Sequence, residues 1–189
     1  MPGIQDQVTE IRNSFPDFKS FTTRFAPGNQ AAAAQHPTRC VTSASAPTLT
    51  YIDLAYGEGC AIAWLVIQLT HFQLQVNVPN KMTEMQLETC AQTIFDNYRY
   101  LKATEIMLFL ARLTGGMYPV EWFGYITPDR IVTALRDHFM VWRNELLYKM
   151  EKQERERKRS EERQAPPPTE EEQTKINEIR ERLMNRFKL

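Results

Sequence analysis

The spacing of apolar side chains along the chain is helical almost throughout, and it predicts a mainly α protein: a compact helical bundle with a long charged C-terminal helix and a hinged terminal amphipathic helix. Val8 and Ile11 give Gln5 to Asn13 one apolar side, and Phe15-Pro16 ends that segment, because the residue before proline avoids the α region. From Ala26 to Pro47 the pattern lapses into prolines, Ser, Thr and an alanine tract, with almost no large apolar residues. That stretch reads as a linker or long surface loop. Thr48 caps a short helix ending at Gly57, read as an αL cap, and a second helix from Glu58 to about Leu74 is apolar on nearly every face, which predicts the centre of the fold.

Thr83 and Gln86 form a capping box for a helix through Ile94 and Leu101, and a further helical segment runs from Thr104 to Leu113, where Gly115-Gly116 stops it. Residues 117–125 are aromatic and broken by Pro119 and Gly124, as in a small hairpin or a packed loop. Thr127-Pro128-Asp129 supplies a capping hydroxyl, a proline at the first helical position and an acid at the positive end of the dipole. The helix that it opens carries the stripe Ile131, Leu135, Phe139, Trp142 and Leu146, turns charged after Tyr148 and is predicted to end near Arg163, before the triple proline. Acid-first pairs four apart, Glu151 with Arg155 and Glu154 with Lys158, favour a solvated helix there. Thr169 with Glu172 is another capping box. It opens a last helix whose narrow stripe is Ile176, Ile179, Leu183 and Phe187.

These elements predict four regions: an aromatic segment and flexible linker over 1–47, a helical core over 48–148, a charged extension over 149–165 and a hinged amphipathic helix over 166–189. The last helix is little longer than the ~12–15 residues at which isolated helices are marginal. Its stripe must therefore pack on the body, on a second copy as a short coiled coil, or on a protein partner.

Charge narrows the classes of partner. Basic and acidic residues number 23 each, so no overall field steers a polyanion to the chain. The three cysteines, Cys40, Cys60 and Cys90, lack metal or redox spacing and suit reduced thiols in the cytoplasm. The first residues lack the features of a secretory signal, and the run Cys60 to Ile67 is too short to cross a bilayer.

No cofactor motif emerges. Gly57-Glu58-Gly59 has Ile62 where a dinucleotide fingerprint needs its third glycine, and a helix-to-helix turn explains it better. His36, His71 and His138 lie far apart, and no nucleophile signature appears, which leaves an enzyme only as a site assembled in three dimensions. Phe15, Phe18, Phe21 and Phe25 alternate with Lys19 and Arg24. They could stack and neutralise a single strand, or staple the N-terminal segment to the core. Glu105 and Arg112, seven apart on one helix face, read as a partner-binding rim or as ordinary surface charges. Lys152, Arg155, Arg157, Lys158, Arg159 and Arg163 are the candidate nucleic-acid contacts, although Glu154, Glu156, Glu161 and Glu162 interleave with them.

The strings Ala46-Pro47-Thr48-Leu49, Tyr56-Gly57-Glu58-Gly59, Tyr100 through Met107 and Ile126-Thr127-Pro128 resemble a helical domain-of-unknown-function family of Bacteroidota genomes, associated with prophages and mobile elements. The resemblance spans about residues 46–145. It implies a helical domain in a mobile-element context and no particular activity. Together these readings lead to an expected non-catalytic adaptor in a DNA-handling system, with single-stranded nucleic-acid binding as the alternative.

Overall fold

The computed structural model describes residues 3–164 and 170–187, with side chains over 3–161 and 173–186. It is all-α and falls into two units, Met1–Leu146 and Leu147–Leu189. The helices of the first are α1 (Ile4–Ser14), α2 (Phe18–Arg24), α3 (Gln30–Gln35), α4 (Pro37–Thr42), α5 (Leu49–Tyr56), α6 (Cys60–Gln75), α7 (Glu84–Tyr98), α8 (Ala103–Thr114) and α9 (Pro128–Ala134). A π-helical turn, Leu135–Phe139, then leads into α10 (Met140–Gln164), and α11 (Glu170–Phe187) is the last element.

The predicted linker is the first correction. Residues 26–47 form a 3-10 turn and the helices α3 and α4, with Gln30, Cys40, Val41 and Ala46 buried. Two features outweigh the poor patterning. Alanine is the best helix former, and the backbone of α4 is tied to α8, where Thr104 Oγ1 donates to Cys40 O at 2.7 Å and Lys102 Nζ donates to Val41 O and Ser43 O at 2.9 and 2.7 Å. The boundary expected at residue 47 therefore does not exist.

The centre is also displaced. α8 buries Glu105 and the unbroken run Ile106–Leu110, whereas α6 buries Trp64, Leu65, Leu69 and Phe72 but leaves Ile67 and Leu74 exposed. High apolar content made α6 look central, but full burial on every side belongs to the shorter helix.

Caps follow the sequence closely. Thr48 Oγ1 accepts from Tyr51 N, and Thr83 and Gln86 exchange both bonds of their capping box. Gly57 has φ 115° and ψ 156°, outside the αL region and nearly exclusive to glycine. Thr127 departs from expectation: it is the N-cap of α9 with Pro128 following, but its hydroxyl makes no capping bond and is buried without a partner.

The helix predicted from Pro128 is interrupted by the π turn, whose i→i+5 bond runs from Met140 N to Leu135 O. Residues four apart drift by about 40° around an α-helix, and wider winding drifts the opposite way. Ile131, Leu135 and Phe139 consequently all reach complete burial, while Trp142 and Leu146 are half-buried. Residues 117–125 make a packed loop, not a hairpin, with Tyr118, Val120 and Trp122 against the core and Asn80 bridging to Tyr125.

Candidate functional site

The sequence marks one surface for a partner and one for a polyanion, and both fall on the second unit. On α11, Ile176, Ile179 and Leu183 are 50, 57 and 48 % exposed, and Met184 is open beside them. The spacing 3 and 4 sets them on one stripe of an otherwise charged helix. The side chain of Phe187, like the predicted Thr169–Glu172 capping box, lies outside the described residues.

The charged part of α10 arranges its cations differently from a nucleic-acid surface. Arg155 pairs with Glu151, Arg157 with both Glu154 and Glu161, and Lys158 with Glu154 at 3.7 Å. The Arg157 hydrogen bond holds the Glu154 carboxyl below its usual range, and the same two carboxylates hold Arg157 above its own. Phosphates would have to displace carboxylates that already fill these guanidinium forks. Lys152 and Arg159 are exposed, and the Arg163 side chain is outside the described set.

In the first unit, the aromatic and basic constellation resolves into packing. Phe21 is wholly buried and Phe25 nearly so; Phe21 lies 5.0 Å from Phe25 and 5.9 Å from Trp64, ring centre to ring centre. Beneath them is a polar cluster. Trp64 Nε1 and Gln68 Nε2 both donate to Phe25 O, at 3.0 and 2.8 Å, and Gln30 Nε2 donates to Gln68 Oε1 at 2.8 Å. Phenylalanines engaged in this way cannot splay out to stack on bases, whereas Lys19 and Arg24 stay on the surface.

Glu105 and Arg112 belong to neither of their expected classes. Glu105 is completely buried: Oε1 pairs with Arg143 Nε at 2.6 Å and Oε2 accepts the Lys102 N–H at 2.9 Å. Arg112 lies over the Trp142 ring, 3.6 Å from its centre. Their shared face meets the start of α10, and these charges clamp the bundle together. Sequence spacing identified the face but could not supply Arg143 and Trp142, which lie 38 and 30 residues away from Glu105 and Arg112.

The Gly57-Glu58-Gly59 turn has no room for a phosphate at the start of α6, because Asp53 already occupies it. Its Oδ1 accepts from Ala61 N at 2.7 Å, and its Oδ2 from Gly59 N at 3.3 Å. All three cysteines are free thiols. Burial pushes Cys90 up to about 12, with the Asp129 charge adding to the effect, and burial likewise raises Cys40 and Cys60. Such thiols stay neutral and poorly nucleophilic at physiological pH. Among the described residues, no three His, Cys, Asp or Glu side chains gather where they could hold a metal ion, and no helix is long and apolar enough to cross a membrane. No family model, no curated protein and no solved structure matches the chain.

Proposed function

We propose that this protein is a non-catalytic helical adaptor that engages a protein partner through the apolar stripe of α11, formed by Ile176, Ile179 and Leu183 and extended by Phe187. The observation that carries this reading is the half-exposure of those aliphatic side chains at helical spacing on a charged helix. Burying each beneath a partner is worth roughly 1 kcal/mol or more, and an amphipathic helix laid in a groove is a common way to do so. The pairing of Arg155, Arg157 and Lys158 with glutamates along α10 favours this reading over direct nucleic-acid binding. The resemblance of short strings to a mobile-element family motivates placing the partner within a DNA-handling system, such as replication or maintenance of a prophage.

Pull-down from the native host tests the proposal, comparing the wild type with Ile179→Asp/Leu183→Asp and with the control Gln173→Asp/Asn177→Asp. A specific protein should be lost with the stripe variant and retained with the control. An identical set of captured proteins in all three would refute the proposal.

A further inference from the structure

From a cleft of the first unit, remote in sequence from the α11 stripe, we infer that the chain binds a small organic phosphate. The dianionic head is held by Arg24, His36 and Arg39, and an apolar or aromatic body lies against Phe15, Phe25 and Met107. All six line one cavity of about 330 Å³, bordered by α2, α3, α4 and α8. That volume is near the lower end of ~300–1,000 Å³ for small-molecule sites, enough for a compact ligand and too little for a folded segment.

Charge selects the class of ligand. No Asp or Glu lines the cavity, and neither arginine takes part in any ion pair among the described residues. Arg155, Arg157 and Lys158 on α10 are, by contrast, already paired with carboxylates. Both guanidiniums are solvent-exposed at the rim, so their five-donor forks are open to an incoming anion. A carboxylate is satisfied by a single fork, whereas a phosphomonoester offers two negative charges and three oxygens to two forks and an imidazole. The floor does not oppose it: the Cys40 thiol donates to Ala33 O at 3.3 Å, and burial keeps it neutral. Inorganic phosphate alone would leave the half-buried Phe15 ring, the open part of that wall, facing water, so the ligand carries an apolar body.

The same geometry explains why Arg24 stands beside the phenylalanines. Phe21 belongs to the core, but Phe15 is only half-buried and turns its remaining surface to the cleft that Arg24 borders. Phe15, Arg24 and Phe25, three members of the aromatic and basic alternation, thus border a small-molecule site.

Isothermal titration of the full chain with phenyl phosphate, inorganic phosphate and phenol tests the inference. Phenyl phosphate should bind at least about tenfold more tightly than either fragment, and its affinity should fall as salt rises. Arg24→Gln and Arg39→Gln should each weaken it about tenfold, the loss expected for one charge-assisted contact. Circular dichroism should be unchanged in both variants, because both side chains are exposed. Absence of phenyl phosphate binding, equal binding of phenol, or affinities unaltered by both substitutions would each overturn it.

Discussion

Arg143→Met is expected to destabilise the first unit by about 3–5 kcal/mol in urea unfolding, although it alters a residue near the surface and removes little volume. The reason lies in Glu105, which is completely buried while Arg143 retains a little solvent contact. With the guanidinium gone, the carboxylate keeps only the Lys102 N–H as a hydrogen-bond partner and the Lys102 ammonium as a more distant countercharge, and stays far from water. Breaking one side of such a pair is costly because the other charge is stranded, whereas removing both charges is often nearly neutral. Glu105→Gln/Arg143→Met should therefore recover most of the loss, since the amide oxygen still accepts from Lys102. A cost below about 1 kcal/mol for Arg143→Met would mean that the pair is hydrated in solution and does not clamp α8 to α10.

Trp64→Ala should cost a similar ~3–5 kcal/mol, by a different route. Its indole is fully buried against Phe21, and truncation leaves a cavity that a bundle of close-packed helices cannot collapse to fill. Trp64→Phe separates volume from hydrogen bonding. It removes the N–H that reaches Phe25 O, but Gln68 Nε2 still donates to that carbonyl at 2.8 Å, so no buried acceptor is orphaned. The expected loss is about 1–2 kcal/mol. If Trp64→Phe proves as damaging as Trp64→Ala, the hydrogen bond dominates and the carbonyl is not doubly served.

Local signals were legible where the chemistry is local. The caps at Thr48 and Thr83, the glycine turn at Gly57 and the acid-first pairs after Met150 all depend on residues a few positions apart, and each forms. Three features escaped because distant residues decide them. Helices α3 and α4 have weak periodicity: α4 gains order from the Thr104 hydroxyl and the Lys102 ammonium that reach Cys40 O and Val41 O, and α3 from the Gln30 side chain, which donates to Gln68 of α6. The π turn at Leu135–Phe139 is silent in a stripe whose spacing of four fits either winding. Glu105, flanked by apolar residues, looks like any helix-surface acid until Arg143 is brought to it. The α11 stripe was fully legible, since periodicity alone reveals an apolar face. The cleft at Arg24, His36 and Arg39 was not, because α3 and α4 were read as a loop.

Hydrogen exchange along α11 tests the central claim most directly. In dilute, monomeric protein the amides of 173–186 should exchange rapidly while those of 103–114 remain protected, because a short helix with an uncovered stripe is marginal by itself. Protection over 173–186 should appear only when the captured partner is added, or with rising chain concentration if the partner is a second copy. Strong protection of 173–186 in the monomer, matching that of 103–114, would contradict the account, because the stripe would then already be satisfied within the chain and have nothing to offer an adaptor's partner.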